Sequence, residues 1–223
     1  MKLYKKGATS GVRAVVLVLH GGQENSKVRA TRRYPAYWRM IPFARDLSRV
    51  PHLAVWQLCN TYRGWNEPDL DPVVDARRAL EEIRRTHPDV PVALVGHSMG
   101  GRAGLRVADD PAVVGVCALA PWTPEGEPVA QLAGRTVLIA HGDRDGTTDP
   151  ALSYTYAERA KEVTDSVARF DVRREAHALL FRYREWTRLV RRFTLGVLGA
   201  VDLDRDIADA LAKPAPDGLR VPV

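Results

Sequence analysis

Residues 92–104 read VALVGHSMGGRAG. Four apolar residues run into a glycine, then a serine with further glycines on its far side. An apolar run this short reads as a strand buried on both faces, and residues 99–109 continue as a helix. Ser98 therefore stands where a buried strand stops and turns sharply into a helix. Such a turn holds its central residue in a strained conformation, and Gly96 and Gly100 leave room for the neighbouring backbone. The helix N-terminus adds free N–H groups and a partial positive charge beside the hydroxyl.

The rest of the chain repeats the alternation of apolar run and helical pattern. Strands are predicted at Ala14–Leu19, Leu53–Leu58, Val92–Val95, Val113–Leu119, Thr136–Ala140 and Val167–Val172, and helices at 36–49, 72–87, 99–109, 150–164 and 178–199. In the last helix Leu179, Leu180, Tyr183, Trp186, Leu189, Val190 and Phe193 recur at spacings of three and four, one apolar stripe. Asp71–Pro72 and Asp149–Pro150 read as helix caps followed by proline in the first turn. The pattern predicts an α/β fold: a doubly wound, mainly parallel sheet of about six strands with helices on both faces. Residues 1–200 read as a single domain without a lid insertion. Residues 201–223, a weak helical pattern followed by KPAPDGLRVPV, read as a surface tail.

Composition narrows the function classes. The 223 residues carry 33 basic and 27 acidic side chains, a net charge of +6, and all but six of the basic residues are arginine. The arginines are interleaved with acids along the helices, so the excess reads as solvated surface. No nucleic-acid motif accompanies it, and no nucleic-acid partner is expected. One local cluster, KVRATRR at 27–33, is basic enough to meet an anionic group. Cys59 and Cys117 lie inside apolar runs as buried thiols, with no disulfide framework, metal-ligand spacing or cofactor motif. The N-terminus lacks the apolar core of a signal peptide, and the first apolar run is too short to span a bilayer, so a cytoplasmic location is expected.

A serine hydroxyl needs a base, and the base needs an orienting group. Asp143, Asp145 and Asp149 follow the strand at 136–140, and His177 follows the last strand, so the order Ser, Asp, His falls at one sheet edge, where ligands bind in doubly wound folds. The other histidines read as loop braces (His20, His141), as turned into the sheet (His97), or as bordering prolines (His52, His87).

With VLVLHGG upstream, GHSMGG at the turn, HGDRD after a later strand and EAH before the last long helix, in that order, the chain resembles the α/β-hydrolase family over residues 13–199. The resemblance implies Ser98 as nucleophile, His177 as general base and Asp145, from the H-G-x-x-D pattern, as its orienting acid. It also implies an oxyanion hole formed by the N–H of Met99 and that of Gly22 or Gln23. Trp65 and Trp122 follow strands at the same edge and are candidates for substrate contact. Only residues 120–134 separate two central strands where many family members insert a lid. The expected activity is carboxylic ester hydrolysis through an acyl-enzyme, on a small-molecule ester and with no cofactor. The same constellation also serves thioesterases and acyltransferases, and a hydrolase fold acting as a non-catalytic binding module is the reading from another class. Oligomeric state is not legible.

Overall fold

The apolar runs become the inner strands of a single eight-stranded sheet in the computed structural model, which describes residues 1–223. The chain runs β1 (Lys2–Gly7), β2 (Ala14–Leu19), α1 (Pro35–Arg39), α2 (Ile41–Leu47), β3 (Leu53–Cys59), α3 (Asp71–Thr86), β4 (Val92–His97) and α4 (Met99–Arg106). It continues with β5 (Val113–Leu119), β6 (Thr136–Gly142), α5 (Pro150–Lys161), β7 (Val167–Val172), α6 (Tyr183–Val197), α7 (Arg205–Ala212) and β8 (Val221–Pro222). The strand order is β1-β3-β2-β4-β5-β6-β7-β8, parallel throughout except for β1, which pairs antiparallel with β3.

Both faces of the sheet are covered, which is why the inner strands read as unbroken apolar runs. Val16 and Val18 face one layer, with Phe43 and Leu47 of α2, Trp186 and Phe193 of α6 and Ile207 of α7. Leu17 faces the other, with Ala76, Leu80 and Ile83 of α3, Leu105 of α4 and Tyr156 of α5. Successive residues point to opposite faces, and each finds a hydrophobic layer.

The structure departs from the sequence reading in five places. There are eight strands rather than six, because KLYKK forms the edge strand β1 and the tail contributes β8. The tail is integrated into the fold: Ile207, Ala210, Leu211 and Leu219 are buried, and Val221 pairs with Phe170 of β7. The helix expected at 36–49 is two helices. Pro42 falls in the first turn of α2, where its missing N–H costs nothing, and the chain breaks at Met40. The last long helix starts at Tyr183 rather than 178, because the preceding loop is tied down by the Glu175 carboxylate, which accepts from Arg182 N at 2.7 Å. Asp71 is the first residue of α3 rather than its cap; its carboxylate accepts from Lys27 Nζ and Asn66 Nδ2, both at 2.8 Å. Asp149 does cap α5, accepting from Ala151 N at 2.8 Å.

Only residues 120–135, with one 3₁₀ turn at Ala130–Leu132, lie between β5 and β6. No helix is long and apolar enough to cross a membrane.

Candidate active site

Strand β4 ends at His97, and Ser98 has φ 55° and ψ −121° at the N-cap of α4. Positive φ is costly for a side chain with a Cβ, about 1–3 kcal/mol, and persists only where the surroundings impose it. Here they do. Ser98 N–H donates to Leu119 O at 2.9 Å, and Ser98 O accepts from Arg102 N at 3.1 Å and Trp122 N at 3.3 Å. Helix α4 leaves the turn pressed against β2: a Cβ on Gly100 would lie 2.5 Å from Leu19 O and 2.6 Å from His20 O. Ser98 is mostly buried, and its Oγ has no hydrogen-bond partner.

Asp145 lies in the loop after β6, its carboxylate inaccessible to solvent. Oδ1 accepts from Thr147 N at 2.8 Å and Thr148 N at 3.0 Å. Oδ2 accepts from His177 Nδ1 at 2.7 Å, Thr148 Oγ1 at 3.0 Å and His141 Nε2 at 3.1 Å. Burial pushes this carboxyl up, but the bonds from the two histidines and the two amides outweigh it and hold it well below the usual carboxylate range. Asp143, the alternative acid, is exposed, and Asp149 is spent on its cap.

His177 sits in the loop between β7 and α6. The buried Glu175 organises that loop, accepting from Ala176 N at 2.9 Å, Arg182 N at 2.7 Å and Trp186 Nε1 at 3.2 Å. Arg39 of α1 donates to Ala178 O. His97 donates from Nε2 to His177 O at 2.9 Å, and the two rings lie 4.7 Å apart at 44°. Burial, then the neighbouring His177, lowers the His97 pKa to about 3, so this imidazole is neutral and its buried Nδ1 carries no proton. With Nδ1 of His177 donating to Asp145, its Nε2 is left as the acceptor nitrogen. The structure thus gathers Ser98, Asp145 and His177 at the carboxyl edge of β4, β6 and β7, with no hydrogen bond between Ser98 Oγ and the His177 ring.

The loop after β2 lies against the serine, and a Cβ on Gly21 would be 3.3 Å from Ser98 Cβ. His20 braces it. Its Nδ1 donates to Gly21 O at 2.6 Å and its Nε2 accepts from Asn60 N at 3.2 Å, a neutral tautomer consistent with a pKa lowered by burial to about 4. Gln23 N–H donates to Arg63 O at 2.8 Å, so that amide is spoken for, whereas Gly22 N–H makes no backbone bond. Met99 is the first residue of α4, and its N–H has no partner within the helix.

Of the two tryptophans, Trp65 is placed differently from expectation. Trp65 is 1% exposed and so cannot line an open site. Its ring lies 4.0 Å from the Arg102 guanidinium, which is also 4.4 Å from the half-buried Trp122; the two rings meet edge to face at 6.0 Å. Arg102 is itself buried and donates to Glu127 Oε2 at 2.7 Å. The aromatic pair thus clamps a buried cation behind the first turn of α4. None of the five main cavities, about 370–560 Å³ each, is lined by Ser98 or His177. No group of three His, Cys, Asp or Glu side chains is arranged to hold a metal ion.

Sequence reasoning missed Glu175, Thr148 and the contact of His141 with Asp145. EAH and HGDRD carry two of these residues in plain view, but their partners lie on other elements.

Comparison with known proteins agrees with this architecture. Residues 15–223 match the model of the alpha/beta hydrolase family. No curated protein sequence matches the chain. Among solved structures, esterase 2 of Thermogutta terrifontis, phosphoramylated by tabun, is 15% identical, with a TM-score of 0.71 over 91% of each chain. Est1E from Butyrivibrio proteoclasticus is 12% identical, with a TM-score of 0.67 over 88% of this chain and 94% of its own. A serine hydrolase without lid from Xanthomonas campestris is 18% identical, with a TM-score of 0.63 over 91% of this chain and 90% of its own. At these identities the structural likeness speaks for the fold, and the family match spans nearly the whole sequence. With the strained serine between β4 and α4 and the parallel sheet behind it, the chain belongs to the alpha/beta hydrolase family.

Proposed function

We propose that this hydrolase cleaves carboxylic esters through a covalent acyl-enzyme formed on Ser98. The observation that carries the reading is the 2.7 Å bond from His177 Nδ1 to Asp145 Oδ2. It fixes the tautomer that leaves Nε2 free to take a proton, and the carboxylate stays ionised to stabilise the imidazolium that follows.

In the first half-reaction Ser98 Oγ attacks the ester carbonyl and its proton passes to His177 Nε2. The hydrogen bond between Ser98 Oγ and His177 Nε2 forms in the substrate complex. The carbonyl oxygen becomes an oxyanion, received by the N–H groups of Met99 and Gly22; Gln23 is the weaker candidate because its amide already serves Arg63. Collapse breaks the bond to the alcohol, which leaves with the proton held on His177. In the second half-reaction water adds to the acyl-enzyme, His177 accepts its proton, and the acid is released as that proton returns to Ser98 Oγ. Each oxyanion donor is worth about 3–4 kcal/mol of transition-state stabilisation.

The test is labelling and turnover together. The wild-type protein should react with a fluorophosphonate probe at Ser98 and hydrolyse p-nitrophenyl acetate. Ser98→Ala should lose both while keeping its circular dichroism spectrum. Full activity in Ser98→Ala, or no labelling of the folded wild-type protein, overturns the reading.

A further inference from the structure

A cleft of about 490 Å³ opens at the carboxyl end of β3 and the amino end of the antiparallel β1, lined by Lys2, Arg29, Arg32 and Arg33 with the Thr31 and Thr61 side chains between them. Lys2 is at that edge because it pairs with Cys59, the last residue of β3. None of the four cations has a carboxylate partner. Nine arginines elsewhere do have one, among them Arg77 with Asp109, Arg102 with Glu127 and Arg191 with Asp46. Asp75 is buried behind the wall: Thr61 N and Oγ1 donate to it at 2.6 and 3.0 Å, and the Met1 ammonium, which also lines the cleft, lies 3.9 Å from it. Arg32 is held over the Tyr4 ring at 4.7 Å. The positive field also reaches Lys6, whose pKa is lowered by burial and then by Arg45 and Arg32.

The cleft and the serine lie at the same edge of the sheet, joined by a chain of buried contacts. Asn60 in its wall donates to His20, which braces Gly21, and Gly21 abuts Ser98. Arg63 stands beside this path. Its guanidinium lies 4.9 Å from the ring of Tyr34, its carbonyl holds Gln23, and its Nε is buried without a partner. In the sheet, β3 and β4 are separated by β2 alone, so the inner wall of the cleft lies about 10 Å from Ser98, two strand spacings. Four like charges converging on one concavity, with no counter-charge of their own, are a ready site for an anion.

We infer that this cleft binds the anionic head group, a carboxylate or a phosphate, of the substrate whose ester is cut at Ser98. The inference rests on the serine-hydrolase reading. It narrows the substrate to an ester with a negative charge about 10–15 Å from the scissile carbonyl, two to three strand spacings away.

Two substrate pairs test it, one for each side of the ester. On the acyl side, mono-p-nitrophenyl sebacate is compared with its neutral methyl-capped twin. On the alcohol side, the acetate of 8-hydroxyoctyl phosphate is compared with octyl acetate. At low salt the charged member of at least one pair should have a kcat/KM about tenfold higher. The ratio should collapse towards one in Arg32→Gln/Arg33→Gln and at about 0.5 M salt, where surface charges are screened. Arg78→Gln/Arg188→Gln, which removes the same charge from α3 and α6, should keep the preference. Equal rates within both pairs, or a preference that survives the Arg32/Arg33 substitution, overturns the inference. If the wild-type protein turns over no member of either pair, the hydrolase reading has failed, and calorimetric titration of octyl phosphate into Ser98→Ala decides the cleft by itself. Binding lost on adding the Arg32/Arg33 substitutions supports an anion site, and no binding overturns it.

Discussion

His97, one residue before the serine, holds the backbone of His177: its Nε2–H reaches the His177 carbonyl at 2.9 Å across eighty residues of sequence. On the proposed reading, the residue that precedes Ser98 thereby positions His177 as its base. His97→Ala should lower kcat about 10–100-fold with little change in KM, because the imidazole of His177 loses its anchor while the substrate surface stays intact. His97→Gln, which can still present a side-chain N–H, should recover part of the loss. Steady-state kinetics on one short ester separates this from a packing role, in which both variants would lose activity in proportion to stability.

Asp145 is expected to matter more for chemistry than for binding. Asp145→Asn removes the charge that fixes the His177 tautomer, and kcat should fall by about 10⁴. His141→Asn should produce a smaller fall, since Asp145 Oδ2 keeps its bonds from His177 and Thr148. Equal losses in the two variants would show that the two histidines act on the carboxylate as one unit.

Acid should unfold the protein in two stages. His20 and His97 have folded pKa values pushed down by burial to about 4 and about 3, so the unfolded chain binds their protons first. Their contribution is complete above the ordinary histidine pKa and is lost as pH falls from about 6.5, with a slope of up to about 1.4 kcal/mol per pH unit for each group. Asp145, also depressed, adds its loss only below the ordinary aspartate pKa, about 4. Urea titrations from pH 7 to 3 should show both slopes. His97→Gln should flatten the first, and an unchanged profile would contradict this account of the histidine.

Trp65→Ala should cost about 3–5 kcal/mol, as a large buried ring is removed from the Arg102 clamp. KM for a short ester should stay within about twofold, since 0.4 kcal/mol of binding is all that such a change represents. Ile207→Ala in α7 should likewise destabilise, by about 2–5 kcal/mol, although it sits in the segment that reads as a loose tail. Urea midpoints measure both.

The inner strands were legible because a doubly covered sheet writes itself as unbroken apolar runs, and Ala14–Leu19 is buried at every position. Strand β1 was not, because an edge strand needs only one apolar face and KLYKKG is mostly polar. The tail was opaque for a related reason: β8 is two residues long, and its stability comes from β7 and α7 rather than from its own composition. At the site, the glycines around Ser98 marked the turn, because only close backbone approach demands them there. The choice between Asp143 and Asp145 was not in the residues, since two acids in one loop differ only in where the fold aims them, whereas Pro150 marked Asp149 as a cap. Trp65 misled because a tryptophan after a strand looks the same in sequence whether it greets a ligand or clamps an arginine.

The two margins of the sheet are unlike its centre. One is β1, studded with Lys2, Lys5 and Lys6; the other is β8, two residues ending in Pro222. A neighbouring molecule seeking to add a strand meets repelling ammonium groups on one side and almost no backbone to pair with on the other. The hydrophobic interior can therefore be rich in valine and leucine while the folded chain resists stacking edge to edge into fibrils, even when concentrated.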